Sequence, residues 1–480
     1  MKNNKNIRVI ELIWFILILL LPFTSLPLAS KVLRSEMVAA PSIIFLLILL
    51  FLFFFYVPRN TLFNNKSFLP LLVFGMFALL SSLLSFFLPI PIQKNFLIEK
   101  NIHEALVSLA IGILFFFVTI NLLSNEVIKS KTLKIIAFSF IPLSIWCFFQ
   151  FVFGQILHDY PKWMVEIQKL FTTSGVLYKD RLTGFAYEPS WLAHQMNMFY
   201  IPIWISSSFK RNSSFKKFAG GLIVEDFFLL LAIGFLILSK SRVGLITFIF
   251  VIIYLLIRFN NIYIKNVSKL PSIANKKILI RLIPIIFFIV FLIIIFLGLF
   301  FFSQFDSRME NLFNIDFYKN RNLFSIANEF VFAERILYWQ TGWQIFNDYP
   351  IFGVGLGNSG FFFEEYLPSF AWALDEPRHL LFQANYQGNI KNLWVRLLAE
   401  TGMIGFLIFF TWLIIIFVVS NHLERSKKSF NSFWGLVGKL ALISLFFEGF
   451  SIDSFALPYY WILLGLVTAN YKCIAGTMAE

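Results

Sequence analysis

The sequence predicts an all-α polytopic membrane protein of about 12 transmembrane helices, with a large, partly helical outer loop. Three observations predict this. Of 480 residues, 59% are hydrophobic and 14% charged, where a soluble globular chain is nearer a quarter charged. Many apolar runs reach the roughly 20 residues that a helix needs to cross a bilayer. Those runs are continuous, whereas a β-barrel needs short alternating segments. The only cysteines, Cys147 and Cys473, sit in or beside apolar runs, so neither a disulfide framework nor a thiolate metal site is expected.

The elements follow in order. Basic "MKNNKNIR" precedes "VIELIWFILILLLPFTSLPLAS". A signal peptide has this layout, but the apolar run is long and another follows at once, so it reads as a retained first helix. Spans are expected at 10–28, 41–57, 68–91, 104–123, 134–153, 190–208, 222–239, 243–258, 281–303, 396–420, 433–451 and 457–472. Residues 1–303 thus carry nine spans with short loops and one longer outer loop at about 154–189. Residues 304–395 form the large outer loop, and 396–480 carry the last three spans. With the N-terminus inside, the net charge of +14 splits into +16 on the inner segments, as in "KRNSSFKK" (210–217), and −2 on the remainder. Lys and Arg favour the cytoplasmic side. The outer loops are rich in aromatics, so 304–395 is expected to fold, with helices at about 321–347 and 385–400.

Several function classes are excluded. The basic loops lack the aromatic interleaving of a nucleic-acid module and fit lipid headgroups instead. There is no G-x-x-x-x-G-K-[ST] loop and no H-E-x-x-H. "FGVGLG" (352–357) lacks the strand, helix and distal acid of a dinucleotide site. Paired inverted repeats of broken helices, which would mark a transporter, are not seen.

Four outer places carry charge beside apolar runs. "DRLTGFAYEPSW" holds Arg181 and Glu188. "LSKSRVGLI" holds Lys240 and Arg242 in a minimal turn between two spans. "ERILYWQTGWQIFNDYPIFGVGLGN" opens with Glu334 and Arg335. "NIKNLWVRLLAETGMIGF" carries Lys391, Arg396 and Glu400. An Arg fork suits planar contact to phosphate, and several cations beside an outer cavity would hold a diphosphate. Arg242 also fits simple snorkelling to the interface. Glu188, before Pro189, fits a helix start or a base near Arg181. Glu400, four residues after Arg396, fits a local ion pair. Lys391 is a cation at a helix N-terminus, where the dipole disfavours it, which calls for an anionic partner. His379 in "DEPRHLLF" and His194 in "WLAHQMN" read as solvated loop histidines or as bases.

These segments, in this order, resemble those of bacterial O-antigen polymerases (Wzy type) and O-antigen ligases. The resemblance covers about residues 175–420. Its strongest part is the series R-x-x-x-W, P-x-x-G-x-G and N-x-x-x-x-x-x-x-E-x-G. It implies a GT-C-type glycosyltransferase of the bacterial inner membrane with its active site facing the periplasm. It also implies undecaprenyl-diphosphate-linked glycan as donor and acceptor, and neither cofactor nor metal. Membrane lipids and a chain-length regulator are the further partners it suggests; nucleic acid is not one.

By the same resemblance, Arg242 and Arg335 match basic residues associated with diphosphate binding, and Arg181, Lys391 and Arg378 join them as substrate-binding residues. Glu188 is the leading general base and His379 the second. Ligases resemble H-N-x-x-x-x-x-x-x-E-x-G, with the His as base, whereas this chain has Lys391 before Asn392. Lys is a poor base and a good anion ligand. The expected reaction is therefore polymerisation of lipid-linked repeat units, with ligation and non-catalytic flipping of lipid-linked glycan as alternatives. A flippase would carry basic residues through the bundle, where the inner halves of the spans look nearly charge-free.

Overall fold

The computed structural model describes residues 4–33, 39–56, 66–123, 126–215, 218–267, 277–305, 307–319, 321–330, 332–384 and 386–477. They are helical, with one isolated bridge between Ser25 and Ala39 and no strand among the described residues. Among the described residues, six helices are long and apolar enough to cross a membrane: Leu69–Phe87, Ile98–Leu122, Ile128–Ile156, Arg242–Ile264, Leu393–Arg425 and Ser429–Glu448. The other expected spans also fall on helices. These include Asn4–Leu19, Ser42–Tyr56, Val224–Leu238, Lys277–Phe305 and Pro458–Thr477. Residues 189–210 run as one helix through a π-helical turn at Met196–Tyr200.

Side-chain distribution separates the centre from the rim. Pro458–Thr477 is buried on every side from Tyr459 to Asn470, the mark of a central helix. It packs on Ile98–Leu122 and on Leu393–Arg425, which in turn packs on Ser429–Glu448 and Leu69–Leu84. Trp14, Trp204, Trp412, Trp434 and Trp461 fill the core. Outward, Phe51, Phe54, Leu83, Leu230 and Phe288 are more than half exposed. Contiguous apolar surface of this kind belongs in lipid.

The outer segment has its own apolar core, built on Leu337, Tyr338, Ile345, Val354, Phe361 and Ile390 among others. The helix expected at 321–347 is two, Leu323–Glu329 and Ala333–Asp348. The one expected at 385–400 starts later, at Leu393. Lys391 has a left-handed backbone (φ 51°), and the Asn392 side chain accepts from the N–H groups of Trp394 at 2.9 Å and Val395 at 3.2 Å. That is an N-cap, which fixes where the helix begins.

The glycines of the series lock this segment to the bundle. Leu393–Arg425 is two helical pieces meeting at Gly402, whose φ of 63° and ψ of −172° no helix contains. The break frees carbonyl groups that the preceding loop satisfies. Val354 N–H donates to Ala399 O at 2.9 Å, Gly355 N–H to Glu400 O at 2.9 Å, and Met403 N–H to Pro350 O at 2.8 Å. Ser81 Oγ adds a bond to Phe352 O at 2.6 Å. A Cβ on Gly402 would lie 2.2 Å from Ile351 O, and one on Gly353 (φ 71°) 2.5 Å from the Glu400 carbonyl carbon. Glycine is required at both positions by close approach and by φ.

Candidate functional site

Arg242 opens the helix Arg242–Val267 directly after the turn at Ser239–Ser241. That turn is clamped from the 180–182 loop. Arg181 Nε donates to Ser239 O at 2.9 Å, Leu182 N–H to Leu238 O at 3.1 Å, and Lys240 Nζ lies 3.9 Å from Asp180. The Arg242 guanidinium then sits over the Phe332 ring, 5.3 Å from its centroid. Phe332 immediately precedes Ala333–Asp348, the helix that carries Glu334 and Arg335 in its first turn. Arg242 thus lies against the residue that caps the helix carrying Arg335, some ninety positions on.

Arg335 is half-buried. Its Nη1 donates to Ser451 Oγ at 2.6 Å. Burial pulls its guanidinium below the ordinary arginine value, and the carboxylates of Glu188, Glu448, Glu376 and Glu334, in that order, pull it back up. Glu188 is the N-cap residue of the helix beginning at Pro189 and accepts from Ser190 Oγ. It therefore both starts a helix and faces the arginine.

Deeper in, Glu448 is fully buried. One of its oxygens accepts from Asn197 Nδ2 at 2.6 Å and the other is held by His194 Nδ1. Asn197 Nδ2 also donates to Gly244 O at 2.7 Å. A buried carboxylate needs such partners. His194 is thereby placed in the interior beside a carboxylate, and not in solvent. Glu448 and Ser451 were not singled out from sequence. The signal was present for Glu448: an ionisable residue at the end of the apolar run "LISLFFE" marks a functional place by default.

Lys391 lies at the other side of Arg335. Its Nζ is paired with the Glu376 carboxylate and sits 4.8 Å from the Tyr338 ring centroid. Tyr338 Oη donates to Glu376 Oε1 at 3.0 Å. Glu334 and Glu376 are hydrogen-bonded to each other. Burial, reinforced by the hydrogen bond and charge of Glu376, raises Glu334 to about 7. Burial also acts upward on Glu376, but the Glu334 hydrogen bond and Lys391 outweigh it and lower its pKa. The anionic partner that Lys391 calls for is therefore Glu376.

Arg396 and Glu400 form the local ion pair their spacing suggests, Nε to Oε2 at 2.9 Å. Ser359 Oγ donates to the other Glu400 oxygen at 2.7 Å. Arg396 Nη1 donates to Asp453 O at 2.7 Å. Asp453 also takes the Lys391 N–H at 3.2 Å and Asn389 Nδ2 at 3.4 Å.

The structure therefore brings Arg242, Arg335, Glu188 and Lys391 into one neighbourhood, with Arg181 supporting the turn before Arg242. Arg378 and His379 stand apart from it. Both are exposed; Arg378 is paired with Asp375, and His379 Nδ1 meets Gln383 Oε1 at 2.8 Å. Their short helix turns Pro377, Leu380 and Leu381 to the core, which leaves Arg378 and His379 at the surface. Among the described residues, no three His, Cys, Asp or Glu side chains are grouped as a metal ion would need.

Residues 227–410 match the family model described as O-antigen ligase. The resemblance read from the four segments is borne out over that span, which contains Arg242, Arg335, Lys391 and Glu400. Glu188, His194, Glu448 and Ser451 lie outside it. A search of curated proteins gives no match.

Proposed function

We propose that this chain, which carries the family region of O-antigen polymerases and ligases, polymerises undecaprenyl-diphosphate-linked repeat units into surface polysaccharide. The observation that carries the reading is that Arg242 lies over Phe332, the cap of the helix that presents Arg335, with Glu188 first among the carboxylates acting on Arg335. The proposed setting is the inner membrane with twelve spans of a GT-C-type fold, the site facing the periplasm.

The reaction balances as a displacement. A sugar hydroxyl of the incoming lipid-linked unit forms a bond to the anomeric carbon of the growing glycan. The bond from that carbon to the lipid diphosphate breaks, and the diphosphate leaves with the electron pair. Glu188 takes the hydroxyl proton as general base. Arg242 and Arg335 offset the charge that develops on the diphosphate, the kind of electrostatic stabilisation that commonly dominates catalysis. Lys391 lends a third cation when its pairing to Glu376 is shared with the ligand. No step calls for a metal.

Polymerisation is favoured over ligation by position 391. Ligases resemble a histidine there. Here a lysine is ion-paired to Glu376 and capped by Tyr338, which suits it to an anion and not to accepting a proton. The test is the purified full chain with lipid-linked repeat units, read as a gel ladder, with and without EDTA. A ladder that persists in EDTA is expected. A single transfer to a separate acceptor would make the chain a ligase. Movement of the lipid across a bilayer with no change in glycan length would make it a flippase.

A further inference from the structure

A cleft of about 510 Å³ opens at the outer end of the helix Ile98–Leu122, and none of Arg242, Arg335 and Lys391 lines it. One wall runs from Asn95 to Ser108. The others are Gly357 with Ser359, the stretch Tyr386 to Asn389, and Arg396 with Glu400. Its size lies in the range of small-molecule sites, roughly 300–1,000 Å³.

The lining charges are already matched within the cleft. Lys100 faces Glu104 at 3.9 Å, and Arg396 faces Glu400 at 2.9 Å. No surplus cation is left to draw a phosphate. What remains is amide: Asn95, Asn101, Gln387 and Asn389, each with a carbonyl acceptor and an NH₂ donor. Two of them are set in place, since Asn101 Nδ2 is bonded to Gln387 Oε1 and Gln387 Nε2 donates to Gln93 Oε1 at 3.2 Å. Tyr386, 60% exposed, offers an aromatic face at the rim. Paired donors and acceptors, no net charge and an aromatic edge suit a polyhydroxyl ligand. They suit neither a diphosphate nor a lipid tail.

We propose that this cleft binds a neutral sugar segment of the glycan, an inference that rests on the polymerase reading above. The loop at 451–453 joins it to the arginine cluster. Ser451 takes the bond from Arg335 at 2.6 Å. Two residues on, Asp453 takes bonds from the cleft residues Arg396 at 2.7 Å and Asn389 at 3.4 Å. A glycan whose diphosphate rests at Arg242 and Arg335 reaches the cleft by passing this loop.

The test uses the full chain in detergent and two probes. One is the oligosaccharide released by mild acid from the host's own lipid-linked repeat unit, free of lipid and phosphate. The other is undecaprenyl diphosphate without sugar. Saturation-transfer NMR should detect the oligosaccharide on the unaltered chain. The double variant Asn101→Ala, Gln387→Ala should weaken it by roughly tenfold or more, as expected for two lost hydrogen-bonding groups. Ser108→Trp, which changes an exposed side chain and fills the cleft, should do the same if the double variant does not fold. Binding of undecaprenyl diphosphate should be unchanged in both. Equal oligosaccharide binding by the unaltered chain and the variants, or none by the unaltered chain at millimolar concentration, overturns the proposal. Failure of the polymerase reading looks different: undecaprenyl diphosphate would not bind, and elongation would be absent, whatever the oligosaccharide does.

Discussion

Arg335→Ala removes the guanidinium on which the proposed chemistry rests. Its Nη1 loses the 2.6 Å bond to Ser451 Oγ, and Glu188, Glu448, Glu376 and Glu334 lose the cation they face. Removing a charge-assisted contact to a buried anion costs about 2–5 kcal/mol, or roughly 30- to several thousand-fold in rate. Arg335→Lys keeps the charge but not the planar fork, so it should fail nearly as badly. Arg242→Ala should match it, because Arg242, held over the Phe332 ring at the cap of the same helix, serves the same anion.

The assay is the elongation ladder from purified protein, at equal protein per lane. Leaving carboxylates without their cation also strains the fold, so each variant's level in the membrane and its Tm belong beside the rate. Arg335→Gln separates the two effects: it retains a donor toward Ser451 without the charge, and should recover protein level without recovering elongation. If Arg335→Ala and Arg242→Ala both elongate at the unaltered rate, the arginines only snorkel to the interface and the active site lies elsewhere.

Four further outcomes are expected. Gly402→Ala places a Cβ 2.2 Å from Ile351 O at a φ of 63°, a strain of about 1–3 kcal/mol before the clash is counted. Its Tm should fall by several degrees, and an unchanged Tm would refute the glycine lock. Glu334, raised to about 7 by burial and by Glu376, holds in the fold a proton that a free carboxylate releases well below that pH. The folded state thus binds more protons between the ordinary carboxylate range and about 7, so this pair's contribution to stability falls as pH rises through that window. The added negative charge beside Arg335 should also slow elongation above about pH 7, and Glu334→Gln should flatten that limb; an unaltered profile in Glu334→Gln rejects the assignment. Lys391→Ala should slow elongation less than Arg335→Ala does, and Lys391→His should not convert the chain to single transfer. Asp375 is 96% exposed, so Asp375→Cys should react with an impermeant thiol reagent in intact spheroplasts; labelling only after lysis would reverse the proposed orientation.

The helical class and the place of the apolar helices were legible because apolar runs of span length have few alternatives. The residues that break regularity were less so. Phe330 ends one short helix before Ala333 starts the next, and Lys391 with Asn392 delays the helix at Leu393; hydropathy carries neither event. In the site, Arg242 and Arg335 were legible because cations beside an apolar run are costly and need a reason. For His379, its neighbours in "DEPRHLLF" do not tell which face of a short helix turns inward; the structure turns Pro377, Leu380 and Leu381 in and leaves His379 at the surface. His194 and Glu448 form a pair 254 positions apart, and no local pattern announces such a partner.

The glycines and the charges of the shared segments do different jobs. Gly353 and Gly402 let the 350–355 loop lie on the backbone of 399–403, and Asn392 caps the helix that Arg396 and Glu400 ride on. These are mechanical requirements, and they hold the outer segment at one height on the bundle. Arg242 then lies against Phe332, the cap of the Arg335 helix, because that height puts Phe332 beside the turn at Ser239–Ser241. Yet the field around Arg335 is set largely from outside the matched region 227–410. Glu188 comes from the loop before it, and Glu448 and Ser451 come from the hairpin after it. The matched region therefore carries the cations and the frame that aligns them. Acids on both sides of that boundary, Glu188 and Glu448 outside it and Glu376 and Glu334 within it, offset that positive charge. Residues 188 and 448, both outside the matched region, are therefore where the charge balance around Arg335 can be reset without touching that region.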